Sequence, residues 1–171
     1  MIRMIAKLLK VLNSETEPAQ ISLALCFSMI MGFTPLYSLH NILAVLLVLI
    51  LRVNLSAFIL GWAFFSGLAY LLDPLFHQIG LVLLTLSALE GLWTSLYNIT
   101  LFRLENFNNS IVMGSLFLSL VFFAPLYLIL NLTIRKYREH ILAWIQKTRI
   151  MQAFKASKIY SVYQTVSGWR G

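Results

Sequence analysis

The sequence has few of the residues on which disulfide scaffolds, metal sites and soluble domains depend. Of 171 residues, one is cysteine, three are histidine, six are acidic, and 11% are charged. A single cysteine, Cys26, excludes an internal disulfide, and so few cysteines and histidines supply no zinc-ligand spacing. Soluble globular domains keep roughly a quarter of their residues charged, so the charge deficit excludes an ordinary soluble domain.

The sequence also lacks a catalytic set. No nucleophile stands beside a base, no glycine-rich loop has phosphate-binding spacing, and no pair of catalytic carboxylates can be assembled. We therefore predict no enzymatic activity, no catalytic residues, no cofactor and no metal. An enzyme would require His40 and Glu90 to meet inside the membrane.

Apolar residues dominate what is present, at 60% of the chain. They predict an all-α, multi-pass membrane protein with a short broken or re-entrant helix pair near the N-terminus. We predict an amphipathic interfacial helix at 1–18, a helical membrane domain at 19–134, and a basic tail at 135–171 that forms amphipathic cytoplasmic helices. The predicted apolar segments are 19–33, 36–51, 55–72, 75–102 and 111–132.

The net charge of +7 lies entirely in the tail, where eight cations stand against Glu139, and the residues before Arg135 sum to zero. Basic residues directly after an apolar segment are typical of the cytoplasmic leaflet, and no base-reading module accompanies them. We predict binding to anionic lipid headgroups and no nucleic-acid binding. The predicted lipid contacts are Arg135, Lys136, Arg138, Lys147, Arg149, Lys155 and Lys158.

Topology adds a constraint on the number of crossings. Basic residues near both ends predict that both termini are cytoplasmic, which requires an even number of membrane crossings. Five apolar segments then require one that does not cross. The short pair 19–33 and 36–51 is the first candidate, as a re-entrant or shallow element, and segment 55–72 is the alternative.

A candidate polar site surrounds the break between the two short segments. Its predicted members are Thr34, Pro35, His40, Asn41, Arg52, Asn54 and Glu90. Glu90 lies in the long fourth segment, where a carboxylate is costly and should be functional or else paired for packing. Arg52 either extends to lipid headgroups or faces the Pro35 break as a counter-charge.

Two functions are compatible with these features. The first is a small non-enzymatic membrane subunit of an envelope complex that handles lipid, with a protein partner or a second copy of the chain. The second is a small secondary transporter that uses Glu90. The transporter hypothesis draws on a repeated Phe-x-Pro-Leu-Tyr-x-x-x-Asn spacing at 33–41 and 123–131, since repeats with broken helices form transporter sites.

Three ordered motifs resemble a known family. Glu17-Pro18, Gly32-Phe33-Thr34-Pro35 and Leu51-Arg52-Val53-Asn54-Leu55 are similar to the signature of the bacterial membrane family called domain of unknown function 2062. Asp73-Pro74, Tyr97-Asn98 and Phe107-Asn108-Asn109 extend the similarity to a longer subgroup. Family members often carry an Asn-Pro step after the third segment, where this chain has Phe65-Ser66-Gly67-Leu68. The resemblance implies a protein of the bacterial cytoplasmic membrane and implies no catalytic residue.

Overall fold

The computed structural model describes residues 17–142, and this part of the chain is helical with no strand. Its α-helices are α1 (Pro18–Phe33), α2 (Leu39–Ile50), α3 (Leu55–Thr85), α4 (Glu90–Tyr97), α5 (Thr100–Leu104) and α6 (Ser110–Lys136). A short 3-10 turn (Ser87–Leu89) precedes α4, and a π-helical turn (Tyr137–Leu142) follows α6. The predicted all-α class is confirmed. The predicted interfacial helix at 1–18 and most of the basic tail lie outside the described residues.

Helices α1, α3 and α6 pack against one another as the central bundle. Helices α1 and α3 run in the same direction, because Gly61 lies beside Ser28 and Gly32 lies beside Phe65. Helix α6 runs the opposite way, and its Phe123 ring contacts Phe27 of α1 edge-on with 5.3 Å between centroids. Helix α2 returns along the bundle, since its Ala44 and Val48 belong to the same packed cluster as residues of α1 and α3.

The crossing of α3 and α6 depends on glycine. A Cβ atom on Gly114 would overlap the backbone carbonyl oxygen of Phe76, and one on Gly80 would overlap that of Ser110. Ser115 and Ser119, on the same face of α6, are fully buried. Small residues at such a crossing let two backbones approach closely, as expected for helices packed in lipid.

Helices α3 and α6 are both long and apolar enough to cross a membrane. Only 17% of the most apolar window of α3 and 22% of that of α6 is buried inside the protein. The core helix of a soluble protein would be mostly buried, so these two helices direct most of their apolar surface outward. Helices α1 and α2 are also apolar and are shorter than a usual span.

The predicted division of the middle of the chain is wrong. Segment 55–72 and the first part of 75–102 form one continuous helix, α3, which passes through Pro74 and ends at Thr85. Asp73 and Pro74 therefore form no turn. A proline within a helix removes one backbone hydrogen bond, and packing against neighbouring helices can stabilise the remainder of the helix. The described residues thus contain four apolar helices of at least 12 residues, α1, α2, α3 and α6, in place of five segments.

The sequence repeat does not correspond to a structural repeat. Residues 34–38 form a non-helical elbow between α1 and α2, whereas residues 123–131 lie within α6, whose helix continues through Pro125. A second elbow at Pro125, on which the transporter hypothesis partly depended, is therefore absent from the structure.

Candidate functional site

The elbow between α1 and α2 is held by hydrogen bonds from polar side chains. Helix α1 ends at Phe33, and the hydroxyl of Thr34 lies 2.8 Å from the Ile30 carbonyl oxygen and 3.1 Å from Asn41 Oδ1. The single hydroxyl proton of Thr34 is shared between these two acceptors. Thr34 and Asn41 are buried, with 6% and 2% of their surface exposed. A buried threonine thus links the end of α1 to the start of α2.

The Pro35 carbonyl is the second group through which hydrogen bonds hold the elbow. It accepts hydrogen bonds from Asn41 Nδ2 and Ser38 Oγ, each at 2.8 Å. The residue before proline is biased away from helical backbone angles, and Thr34 is extended. Because the helix is interrupted, the Pro35 carbonyl has no helical N–H donor, and these two side chains donate to it instead. The hydrogen bonds lost at the break are thus replaced within the protein.

Glu105 closes the elbow from a distant part of the chain. Its Oε2 accepts the backbone N–H of His40 at 3.2 Å, and its Oε1 contacts His40 Nδ1. His40 is in the first turn of α2, where backbone N–H groups lack helical partners. The carboxylate therefore caps α2 and also complements the positive end of its dipole. This contact fixes the 86–109 connection over the elbow.

The imidazole of His40 is largely enclosed, with 13% of its side chain exposed. His40 lies outside both long helices, and burial lowers the pKa of its ring to about 4. The neutral ring donates its Nδ1–H to Glu105, because an ionised carboxylate can only accept. Within the described residues, Nε2 of His40 has no hydrogen-bond partner.

A pocket opens beside the elbow, against α3. We call it the elbow pocket; its volume is about 320 Å³, in the range of small-molecule sites. The lining comprises residues from the end of α1, the elbow, one face of α3 and the start of α6: Met31, Gly32, Phe33, Thr34, Pro35, Leu36, Trp62, Ser66, Ala69, Tyr70, Asp73 and Ile111. The elbow pocket is the feature of this region that could admit a ligand.

The polar lining from α3 was missed by the sequence analysis. Trp62, Ser66, Tyr70 and Asp73 are spaced by three or four residues, which places them on one face of a helix. The predicted boundary between segments 55–72 and 75–102 hid this stripe, because it divided α3 into two segments. Treating 55–85 as one helix would have revealed it. Glu105 had no comparable local signal, since its pairing with His40 joins residues 65 positions apart.

The predicted polar site is only partly assembled. Thr34, Pro35, His40 and Asn41 lie together at the elbow. Arg52 and Asn54 lie at the opposite end of α2, about 18 Å away by helical rise. Asn54 caps α3 by accepting the Ala57 N–H at 2.9 Å, and Arg52 is exposed with a left-handed φ of 50°. The alternative in which Arg52 faces the Pro35 break is therefore wrong, and its extension to lipid headgroups stays a prediction.

The prediction that Glu90 lies within a long apolar segment is also wrong. It is exposed and begins α4, five residues after the end of α3, so it lies outside the two long apolar helices. The physical reason is the break at Leu86, whose extended backbone ends α3. The carboxylate that meets His40 is Glu105, in place of Glu90.

Part of the predicted lipid-contact set is visible at the other end of the bundle. Arg135 and Lys136 are exposed at the end of α6, and Arg138 follows them. Arg52 lies at this same end, since its neighbour Val53 shares a packed cluster with Ile134. We call this the basic end. Lys147, Arg149, Lys155 and Lys158 lie outside the described residues.

The described residues contain no group of three or more His, Cys, Asp or Glu side chains that could hold a metal ion. The elbow offers one histidine and one carboxylate, which already bind each other. The polar side chains of the elbow thus bind one another and hold the helices in place, and the adjoining elbow pocket is where a ligand would bind.

Comparison with known proteins agrees with the resemblance seen in the motifs. A family model described as "Uncharacterized protein conserved in bacteria (DUF2062)" matches residues 3–142. The chain belongs to this family. The match to DUF2062 includes the elbow, the elbow pocket and all six helices. An uncharacterized protein of Treponema pallidum (strain Nichols) is 24% identical over 141 residues, which cover 82% of this chain and 87% of that protein. No solved structure matches the chain.

Proposed function

We propose that this DUF2062 protein is a non-enzymatic, multi-pass protein of the bacterial cytoplasmic membrane that binds the headgroup of a lipid in the elbow pocket. The observation that carries the proposal is an open pocket whose Ser66, Tyr70 and Asp73 side chains form no hydrogen bond within residues 17–142, placed between helices whose outer faces are apolar. Such a pocket lets a lipid keep its chains against the helices while its headgroup meets polar side chains.

The helix lengths support a particular position for the pocket. If α3 enters the hydrocarbon at Leu55, beside the basic end, Asp73 stands 18 residues further along. That distance corresponds to about 27 Å of rise, against a hydrocarbon core of about 30 Å. The elbow pocket would then lie at the headgroup level of the opposite leaflet. A carboxylate at that level avoids the cost of the membrane interior.

The same placement is compatible with an even number of crossings. Helices α3 and α6 supply two crossings, and the antiparallel pair α1 and α2 supplies either none, as a re-entrant hairpin, or two. Both choices give an even number, which agrees with two cytoplasmic termini. The basic end, with Arg52, Arg135 and Lys136, faces the cytoplasm in this arrangement.

Reporter fusions would test this topology directly. We expect cytoplasmic signals from fusions after Arg52 and after Arg170, and a periplasmic signal from a fusion after Glu105. A cytoplasmic signal after Glu105 would contradict the proposed crossing by α3.

We further propose that the protein acts as a small subunit in the envelope, with a protein partner or as a homo-oligomer, and without nucleic acid. The exposed apolar faces of α3 and α6 leave area for helix-to-helix contact beyond the lipid. The basic end and the tail would hold anionic headgroups of the cytoplasmic leaflet.

Lipid retention tests the main proposal. The full-length protein is purified in mild detergent, and native mass spectrometry counts the lipids that remain bound. Ser66→Phe fills the elbow pocket, and Ser56→Phe places the same ring on an exposed position of α3 as the control. We expect Ser66→Phe to lose a lipid that the wild type and Ser56→Phe retain. Equal retention by all three proteins would refute the proposal.

The alternative of a secondary transporter has less support. It depended on Glu90 inside the membrane and on two equivalent proline breaks, whereas Glu90 is exposed at the start of α4 and Pro125 lies within a helix. Unchanged proton-dependent uptake in vesicles containing Glu90→Gln would leave it without a basis.

A further inference from the structure

We propose that the elbow pocket selects a ligand that carries an ammonium group, bound by the Asp73 carboxylate and the rings of Trp62 and Tyr70. This inference rests on the proposed function and specifies the chemistry of the ligand. The class includes lipids with amine or choline headgroups and free organic cations.

The charge of the pocket is the first argument. Asp73 is the one charged residue among the lining residues that belong to the described part of the chain. Within residues 17–142, Asp73 forms no hydrogen bond and no ion pair. An ionised carboxylate that is partly buried without a counter-charge favours a cation and repels a phosphate. An ammonium ligand would supply the counter-charge that residues 17–142 do not provide.

The aromatic lining is the second argument. Three aromatic residues, Phe33, Trp62 and Tyr70, are among those that line a pocket that also contains a carboxylate, and Tyr70 is 81% exposed. Ammonium groups are attracted to the faces of aromatic rings, and tryptophan and tyrosine are the strongest partners. A carboxylate combined with aromatic rings is the chemistry by which proteins recognise methylated and primary ammonium ions.

Further hydrogen-bond acceptors lie on the same face of α3. The hydroxyls of Ser66 and Tyr70 form no hydrogen bond in the described residues. Pro74 has no N–H, so the carbonyl of Tyr70 lacks its regular helical donor four residues on. A primary ammonium has three donors, which these groups could receive together with Asp73.

The position of the pocket favours a headgroup as the source of the ammonium. At the level of the headgroups, a zwitterionic lipid can place its ammonium against Asp73 while its phosphate remains in water. A small organic cation would satisfy the same contacts without the chains. A lipid headgroup and a free organic cation would make the same contacts with the pocket, and only the headgroup requires lipid to be present.

The test compares lipid preference in the full-length protein. Micelles containing equal amounts of phosphatidylethanolamine and phosphatidylglycerol are equilibrated with the protein, and native mass spectrometry gives the ratio of the two lipids bound. We expect the wild type to retain phosphatidylethanolamine at least about tenfold over phosphatidylglycerol, as a charge-assisted contact would provide. Asp73→Asn should bring the ratio close to one.

Two further variants separate charge from folding. Glu90→Gln makes the same acid-to-amide change on an exposed residue outside the pocket and should keep the wild-type ratio. Trp62→Leu should lower the ratio about threefold while Asp73 remains. Thermal unfolding of each variant shows whether the fold is kept, so that Trp62→Leu decides the question if Asp73→Asn does not fold.

Titration with tetramethylammonium chloride distinguishes the two sources. Displacement of bound phosphatidylethanolamine supports the inference with a lipid ligand, and Asp73-dependent binding of tetramethylammonium without lipid preference supports it with a free cation. A wild-type ratio near one without tetramethylammonium binding, or a ratio unchanged by Asp73→Asn, would overturn it. In that case the proposed function still stands if Ser66→Phe removes the bound lipid, and it falls as well if Ser66→Phe removes none.

Discussion

Two stretches of this protein share the spacing Phe-x-Pro-Leu-Tyr-x-x-x-Asn and adopt different structures. In 33–41 the chain leaves its helix, turns at Pro35 and begins a new helix at Leu39. In 123–131 it remains helical through Pro125. The proline is common to both, so proline alone does not decide where a helix in this protein breaks.

The residues between the shared positions explain the difference. The first stretch has Thr34 and Ser38, whose hydroxyls bond to Ile30, Asn41 and Pro35 and replace the lost backbone bonds. The second has Ala124 and Leu128 at those positions, which offer no hydrogen bond. Polar side chains that compete for the backbone favour turns, whereas alanine and leucine favour helix.

The two regions are also stabilised differently. The elbow is held by side-chain hydrogen bonds and by the distant Glu105, whereas α6 is held against α3 by the backbone approach at Gly80 and Gly114. Four substitutions test this difference, each with a matched control. The free energy of unfolding is measured in every case by titration with sodium dodecyl sulfate in mixed micelles.

The largest effect is expected at the helix crossing. Gly114→Ala places a methyl group against the Phe76 backbone, which cannot move aside, and should destabilise the protein by about 3 kcal/mol. Gly67→Ala, on an open face of α3 with nothing within 4 Å, should be neutral or slightly stabilising. Equal effects of the two would show that the crossing is looser than described.

The next effect is at the elbow. Asn41→Ala removes the donor to Pro35 and the acceptor beside Thr34, both buried, and should cost about 2 kcal/mol. Asn131→Ala changes the matching residue of α6, whose Oδ1 has no hydrogen-bond partner in the described residues, and should cost less than about 0.5 kcal/mol. A larger loss at Asn131 would reverse the comparison.

Loss of the Glu105 charge should have a smaller effect. Glu105→Gln keeps the shape of the cap on α2 and weakens its contacts with the His40 N–H and ring, for an expected loss of about 1 kcal/mol. Glu90→Gln, at an exposed position at the start of α4, should change stability little. No difference between the two variants would mean that Glu105 does not hold the elbow.

The smallest effects differ in sign. Pro125→Ala restores an N–H that can donate to the Val121 carbonyl and should stabilise α6 by somewhat under 1 kcal/mol. Pro35→Ala should destabilise the elbow by about 0.5 kcal/mol, because alanine gives the unfolded chain more conformations. Destabilisation by Pro125→Ala would indicate that packing of the Pro125 ring stabilises α6 more than the restored hydrogen bond does.

The helical class, the short first pair and the break at 34–38 followed from local pattern, because apolar runs and a Thr-Pro step act within a few residues. The ends of α3 did not follow, since Pro74 was expected to stop a helix that tertiary packing carries through. The same error hid Asp73 as a pocket residue. The pairing of His40 with Glu105 was beyond local pattern, because only the folded 86–109 connection brings these residues together.

The unequal lengths of the helices have a consequence for the surrounding bilayer. Helix α1 rises about 24 Å before the elbow, whereas the 31 residues of α3 rise about 46 Å. Under the proposed topology, the basic end and the elbow pocket are separated by about 27 Å along α3, close to one hydrocarbon thickness. In a thicker bilayer the pocket would sink below the headgroups, so we expect its occupancy to fall as acyl chains lengthen, which native mass spectrometry of one headgroup on short and long chains would measure.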